Sequence, residues 1–416
     1  MKVVLIQGKY RNSWESQALG FIGAYLHLHH RELQISFHHG SMDPEERIVA
    51  DCVDANIVGF SATSPTFDWC RSLASKIKAA NPGVWIVVGG YHSSVLGAAC
   101  LSSDIDQVVQ GEGEHAMLSI IEGNRAPIVQ GFTMRFSELP WVDRDLIRNE
   151  RHVEVAQRDT GKRITSFQAH RGCPFRCRFC ADGKRKALYG GIPPVVRHRE
   201  VDSLVAEMHH VTEEYALDLI KFCDATWNIR ESWVESFCLH KMGQGFTTPF
   251  FANIHARVTS QKMFDLMAAA GCTDIGLGIE SGSERVLSCL GKGTDKQMIR
   301  DAVFWAKAAG IHVRGYFILG MPEETEDDLR QTEEFAAELE LDEYGFTILC
   351  PYPGTDFYDP IRMSSIDWAK TDEYSNDFWK SDNLSNQDLK EWQAKLSSKF
   401  ASRLTWHQKQ KGMGVD

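Results

Sequence analysis

The chain has 416 residues, enough for two to four domains at about 100–200 residues each. Its 43% hydrophobic and 24% charged residues are ordinary for a globular protein, and a net charge of −11 (56 acidic against 45 basic residues) argues against a general nucleic-acid binder. No apolar run reaches the roughly 18 residues of a membrane span, and the opening MKVVLIQGKYRNSW is too short in its apolar part for a signal peptide, so no membrane role and a cytoplasmic location are expected.

The first 130 residues alternate strand-like and helix-like segments. Strands are expected at VVLIQ (3–7), LQISFHH (33–39), NIVGFSA (56–62), VWIVVGG (84–90) and DQVVQGEGE (106–114). Continuous apolar runs such as IVV suit strands buried on both faces of a parallel sheet, giving a flavodoxin-like or Rossmann-like α/β domain. In such sheets a ligand sits beyond the carboxyl ends of the strands. The residues there are Ser61, Thr63 and Ser64; Gly89, Gly90, Tyr91 and His92; and Gly111 and Glu112. Residues 131–162 lose the alternation and read as a linker with a docking segment at Leu139-Pro140-Trp141.

A second alternating series fills 163–355, with strands expected at 164–170, 218–225, 249–255, 274–280, 312–320 and 344–350. Helices between them carry apolar residues at helical spacing, for example Val201, Leu204, Val205 and Met208. Gly271 and Gly310 read as helix stops, and Thr325 before EDDL as an N-cap. Six such units make a partial (β/α)6 barrel, fewer than the eight of a closed one, so one side is expected to be open or covered by another segment. Residues 356–416, with Trp368, Trp379, Trp392 and Trp406 among charges, read as a short helical lid.

Of the 11 cysteines, Cys52, Cys70, Cys100, Cys238, Cys272 and Cys289 sit singly in apolar stretches and read as buried small hydrophobes. Cys173, Cys177 and Cys180 in HRGCPFRCRFC are clustered, directly after the first strand of the second series, where barrel active sites lie. A structural zinc site normally takes four ligands, and a redox CxxC leaves Cys173 unexplained. An iron–sulfur cluster held by three thiolates keeps one iron open, as a catalytic site requires.

CPFRCRFC resembles the CxxxCxxC signature of the radical SAM superfamily. FCDATW (222–227), GLGIESGSERVLSCLGKG (276–293), GYFILGMPEET (315–325) and PYPGTDFYD (351–359) are similar to later strands of its cobalamin-type branch, and IVGFSATSPTF (57–67), VVGGYH (87–92) and QGEGE (110–114) resemble that branch's N-terminal cobalamin-binding domain. The resemblance implies a 4Fe–4S cluster on Cys173, Cys177 and Cys180, S-adenosylmethionine (SAM) chelated by the open iron, cobalamin in the N-terminal domain, and an external flavodoxin or ferredoxin as electron donor. It also implies that Phe179 borders the adenine, Asp224 accepts from the methionyl ammonium, Arg257 pairs with the methionyl carboxylate and Glu280 accepts from the ribose. Arg314, Tyr316 and Cys350 are candidates to face substrate. The chain lacks the DxHxxG motif that supplies a histidine below cobalt, so cobalamin is expected without that ligand, with His92 in GGYH the one histidine of this loop set placed to approach the corrin. The implied activity is radical methylation of an unactivated carbon, or of a phosphinate phosphorus, in a small biosynthetic intermediate. Two alternatives stand beside it: a non-methylating rearrangement, cyclisation, epimerisation or coupling, and a zinc- or cluster-stabilised binding protein.

Overall fold

The computed structural model describes residues 1–10, 15–182, 196–372, 374 and 376–405, so Trp406 and part of the GKYRNSW loop lie outside the described residues. The chain divides into two compact units, one made mainly of Met1–Gly161 with Pro360–Lys370, the other mainly of Lys162–Gly183, His198–Asp359 and the segment from Thr371.

The first unit is built on six parallel strands: β1 (Lys2–Gln7), β2 (Gln34–His39), β3 (Ile57–Ser61), β4 (Trp85–Gly89), β5 (Gln107–Gln110) and β6 (Ile128–Gln130), in the order β2-β1-β3-β4-β5-β6. Side chains alternate between the faces of a strand. Val3, Leu5, Ile57, Val87 and Val109 therefore join one core with α1 (Gln17–His29) and α5 (Gly113–Ile121). Val4, Ile6, Val58, Phe60, Ile86 and Val88 join the other with α2 (Glu45–Cys52) and α3 (Ser64–Ala80). The short helix α4 (Tyr91–Leu96) follows β4. The sheet order reverses direction at β1 and β3, the kind of switch point beyond which α/β sheets hold ligands.

The structure departs from the sequence reading in two places here. β6 was not anticipated; it is a three-residue edge strand with one buried side chain, Val129, too short to show a period. Residues 131–162 are more than a linker. Met134, Phe136, Val142 and Ile147 enter the first core, and α6 (Asn149–Thr160) follows. A Cβ on Gly20 or Gly23 of α1 would collide with Val142 or Leu146, so these glycines seat the segment.

The second unit holds six parallel strands in sequential order: β7 (Ile164–Phe167), β8 (Leu219–Phe222), β9 (Phe250–Ile254), β10 (Cys272–Glu280), β11 (His312–Leu319) and β12 (Glu343–Ile348). Helices α7 (Val201–Tyr215), α8 (Glu231–Gly243), α9 (Gln261–Ala269), α10 (Glu284–Cys289), α11 (Lys296–Ala308) and α12 (Glu326–Glu338) connect them, the half-barrel expected from the sequence. In β11, Val313, Gly315, Phe317 and Leu319 are buried and the alternate residues half-exposed, which puts His312, Arg314, Tyr316 and Ile318 on the other face of the strand. Gly271 and Gly310 end their helices at φ +92° and +77°.

The last segment does not form one lid. Trp368–Lys370 lies against α3 in the first unit. In the second unit the chain covers the β12 edge: Leu404 bridges Tyr344, Phe400 stacks on Tyr344 at 4.2 Å, and α13 (Asn386–Lys399) sends Gln393 to the Phe346 carbonyl. Trp379 is buried and donates to the Gly320 carbonyl at 2.6 Å. An otherwise exposed row of backbone groups is thus satisfied.

Thr325 caps α12 through a capping box with Asp328. Loss of such a cap costs about 1 kcal/mol, so Thr325→Ala is expected to speed amide exchange in the first turn of α12 about fivefold, as hydrogen–deuterium exchange would measure.

Candidate functional site

The cysteine loop leaves the half-barrel just past β7. Its base is fixed by Asp224, at the end of β8, whose carboxylate accepts from the backbone N–H of Ala169 (3.0 Å) and of His170 (2.5 Å). Burial pushes the Asp224 carboxyl up to about 7, against the pull of those N–H donors. The oxygens expected to meet an ammonium group are therefore engaged by the backbone that launches the loop. His170 is locked beside it: Nε2 donates to the Trp227 carbonyl at 2.9 Å, which leaves Nδ1 to accept from His198 Nδ1 at 2.9 Å.

Cys173, Cys177 and Cys180 are all half-buried, and among the described residues no cysteine is in a disulfide. The loop is pinned where Arg178 N donates to the Leu290 carbonyl (2.8 Å) and Asp356 N to the Arg178 carbonyl (2.9 Å). Cys173 Sγ lies 3.7 Å from Thr226 Oγ1. Burial raises the Cys173 thiol and pushes Cys177 up to about 12; Lys292 pulls both back, while Cys180, Glu280 and Cys173 add to the rise at Cys177. Cys173 and Cys177 thus respond to the same ammonium group. Among the described residues no three His, Cys, Asp or Glu side chains converge on a position for a single metal ion. A four-iron cluster spreads its thiolates over separate irons and does not require such convergence.

Lys292 is the residue the sequence reading missed. It is buried and donates to Glu280 Oε1 and to the Gly278 carbonyl, both at 2.5 Å. Glu280 stands at a register shift in β10 and holds φ +69°, uncommon for a residue with a side chain. A Cβ on Gly278 would strike both the Glu280 carboxylate and the Lys292 ammonium, so the glycine makes room for the pair. A basic residue between two glycines, in the quoted GLGIESGSERVLSCLGKG, was the available signal.

Of the remaining second-unit candidates, Phe179 is half-buried in the loop. Arg257 is exposed, with Nη1 over Gly293, close enough that a Cβ there would meet it. Tyr316 lies across Gly276 and Gly345. Cys350 is buried just past β12. Arg314 does not join this group. It pairs with Asp274 (2.8 Å) and Glu343 (3.4 Å) toward the amino ends of the strands and sits over the Phe251 ring, a local ion-pair network away from the cysteine loop. Cys289, expected to be buried, is exposed at the end of α10, whereas the other five single cysteines are buried.

In the first unit the candidates do gather at the carboxyl ends of neighbouring strands. Ser61 and Gly89 end β3 and β4, Thr63 and Ser64 open α3, Gly90, Tyr91 and His92 open α4, and Gly111 and Glu112 follow β5. His92 is turned inward. Nδ1 is 3.0 Å from Ser64 Oγ, the ring stacks on Phe67 at 4.4 Å, and burial pushes its pKa down to about 4. Glu112 is gripped by the Arg197 guanidinium through both carboxylate oxygens.

A parallel half-barrel whose first strand opens into a three-thiol loop defines a cluster-bearing enzyme class, and comparison with known proteins agrees. The Radical SAM superfamily model matches residues 168–336, and the B12 binding domain model matches residues 3–121. The chain thus carries a radical SAM superfamily domain preceded by a B12 binding domain, and it is an enzyme. An uncharacterized methyltransferase of Pyrococcus horikoshii is 29% identical over 345 residues, covering 76% of this chain and 72% of that protein. The anaerobic magnesium-protoporphyrin IX monomethyl ester cyclase of Cereibacter sphaeroides is 23% identical over 342 residues, 76% of this chain; the chain spans just over half of that protein, 55%. The solved radical S-adenosylmethionine methyltransferase TsrM of Kitasatospora setae, with cobalamin and a [4Fe-4S] cluster bound, shares the fold at TM-score 0.69 and 17% identity over 85% of this chain and 76% of that one. Among the described residues no helix is long and apolar enough to cross a membrane.

Two predictions follow from the buried charges. Lys292→Met leaves Glu280 buried and unpaired, and is expected to cost about 3–5 kcal/mol in denaturant unfolding, largely restored in the Lys292→Met/Glu280→Gln double variant. The raised Asp224 carboxyl means that the folded protein retains, between about pH 4 and pH 7, a proton that the unfolded chain has released. Stability from this group therefore falls as pH rises through that window, and Asp224→Asn is expected to flatten the slope.

Proposed function

We propose that this chain is a cobalamin-dependent radical SAM methyltransferase acting on a small biosynthetic intermediate, at an unactivated carbon or a phosphinate phosphorus. The observation that carries the reading is the cysteine loop: three half-buried thiols, of which burial raises Cys173 and Cys177 and the neighbouring thiols raise Cys177 further, with the buried Lys292 ammonium group acting on both. Thiols in that state stay protonated until a cationic centre displaces the proton. The donor set fits an iron–sulfur cluster with one open iron, held by Cys173, Cys177 and Cys180. When bound, the cluster supplies a low-potential electron to the sulfonium of SAM, and cobalamin supplies a methyl carrier.

The chain's own residues bind, orient and shield. Lys292 would offset the negative charge of a thiolate-bound cluster and holds the Glu280 carboxylate in place by a hydrogen bond, leaving Glu280 free to accept from ribose hydroxyls through its other oxygen. Arg257 has an exposed guanidinium suited to a carboxylate. Phe179 is the aromatic wall proposed for the adenine. Asp224 serves as a positioning residue for the loop. Tyr316 and Cys350 remain candidates to face the substrate. Residues Ser61, Thr63, Ser64, Gly89, Gly90, Tyr91, Gly111 and Glu112 form the proposed cobalamin edge of the first unit. With His92 bonded to Ser64 and no DxHxxG present, cobalt would lack a histidine beneath it. A flavodoxin or ferredoxin is the proposed electron donor, and a reducing cytoplasm the compartment that keeps these thiols available.

The similarity to a methyltransferase favours methylation; the similarity to a cyclase gives the second reading, a non-methylating ring closure on the same scaffold. Anaerobic reconstitution with iron, sulfide and hydroxocobalamin separates them. Methylation predicts about four irons and four sulfides per chain, a corrin spectrum, and equal yields of 5′-deoxyadenosine and S-adenosylhomocysteine in turnover with candidate acceptors. Corrin binding with 5′-deoxyadenosine and no S-adenosylhomocysteine in productive turnover would favour the cyclase-like reading. Zinc without sulfide would overturn both. Alanine at Cys173, Cys177 or Cys180 is expected to abolish SAM cleavage.

A further inference from the structure

His255 stands at the carboxyl end of β9 and is 4% exposed. Its backbone is held on both sides by the fully buried Asn228 side chain: His255 N donates to Asn228 Oδ1 at 2.9 Å, and Asn228 Nδ2 donates to the His255 carbonyl at 3.2 Å. The imidazole lies flat on Phe175, centroid to centroid 3.5 Å with the planes at 10°. Phe175 is the residue midway between Cys173 and Cys177. The ring therefore cannot turn without disturbing the cysteine loop.

The tautomer follows from the contacts. Nδ1 accepts the Arg257 backbone N–H at 3.2 Å, so in the neutral ring the proton is on Nε2. Burial, with Lys292 and Arg257 nearby, pushes the pKa down to about 3, which keeps the ring neutral. Nε2 is fully buried and has no hydrogen-bond partner among the described residues. A buried donor left unmet costs about 1–3 kcal/mol, and such groups in folded proteins call for an explanation. Lys292 acts electrostatically on Cys173, Cys177 and His255 alike.

We propose that His255 Nε2–H is a preformed donor to an anionic acceptor of the cofactor assembly at the cysteine loop, either a cluster sulfur or the carboxylate of SAM. The inference rests on the radical SAM reading above. Both acceptors share one chemistry, a negatively charged atom that replaces the missing partner of a rigid, neutral N–H. The remainder of the ring serves to hold that donor still: Asn228 fixes its backbone, Phe175 its plane and Arg257 N its tautomer.

The test uses the anaerobically reconstituted full chain and compares wild type with His255→Phe, which retains a ring to stack on Phe175 but has no donor. Iron and sulfide content, the cluster reduction potential without SAM, and the Kd for SAM are measured for both. If the acceptor is SAM, Kd rises about tenfold or more, as for a lost hydrogen bond to a charged group, and the SAM-free potential is unchanged. If it is a cluster sulfur, the potential falls without SAM, because a donor to sulfur favours the more negative reduced state, and Kd changes little. A fully loaded His255→Phe protein equal to wild type in both overturns the inference. Should His255→Phe fail to load iron, His255→Gln supplies the second reading, since it keeps an amide donor. A loaded Gln variant within about twofold of wild type in Kd and with an unshifted potential supports the donor role. A Gln variant that also fails to load, or that is loaded but displaced in both, assigns the effect to the stack alone and overturns it. Wild-type protein that takes up no cluster or SAM fails the radical SAM reading itself, a result distinct from all of these.

Discussion

Lys292 brings an ammonium group into the carboxyl end of the half-barrel, where the Glu280 carboxylate and the Gly278 carbonyl each accept from it at 2.5 Å. A buried cation with one buried anion is a poor source of stability, since the desolvation of both ions offsets most of their attraction. Its value lies in position. The pair sits at a register shift and a left-handed backbone at Glu280, and it needs Gly278 bare. Strain of this kind persists where surrounding structure over-determines it, and it tends to collect at functional sites. The same ammonium opposes the burial that raises Cys173 and Cys177. One cation thus couples the end of β10 to a loop that begins more than a hundred residues earlier.

The cysteine loop is held by partners from several barrel strands rather than by its own sequence. Asp224 at the end of β8 takes the N–H groups at its base, His255 at the end of β9 supports Phe175, and Leu290 beyond β10 takes the Arg178 N–H. Each contact falls at the carboxyl end of a parallel strand, where connecting loops are free to vary while the sheet stays rigid. Three thiols on one short loop need such external bracing to hold fixed positions, because eight residues of loop cannot fix three side chains unaided.

Much of this architecture was legible beforehand. The six barrel strands announce themselves by apolar runs, α12 by the Thr325 cap, and the ends of α9 and α11 by Gly271 and Gly310, because these signals are local. The cysteine triplet is local too. What escaped was set by contacts distant in sequence. Lys292 reads as one more surface lysine until Glu280 and Gly278 fold over it. Asp224 sits in a strand-end motif that suggests a ligand, but its partners, Ala169 and His170, lie more than fifty residues away. The 131–162 segment has no clear period, yet Val142 and Leu146 fit where Gly20 and Gly23 leave space on α1. His92 lies in a motif that would let it approach a corrin, although a lone histidine in a βα loop is more often no ligand, and its ring is spent on Ser64 and Phe67.

The two ends of the half-barrel divide the work by charge. Toward the amino ends, Arg314 is neutralised by Asp274 and Glu343 and rests on Phe251, so its charge is consumed within the protein. Between the ends, Gly276 stays small because a side chain would meet Asn253, Phe251 and Tyr316. At the carboxyl ends the balance differs. Lys292 is paired, but Arg257 is exposed and the His255 Nε2–H is buried and unmet among the described residues. His312 Nδ1 and Arg314 Nε are also unmet at the amino ends, but each lies within 3.5 Å of a carboxylate oxygen of Asp274 or Glu343, whereas a buried donor with no partner at all calls for one. The His255 donor lies at the end that carries the three thiols, so an unfilled hydrogen-bonding group and the thiols share that end.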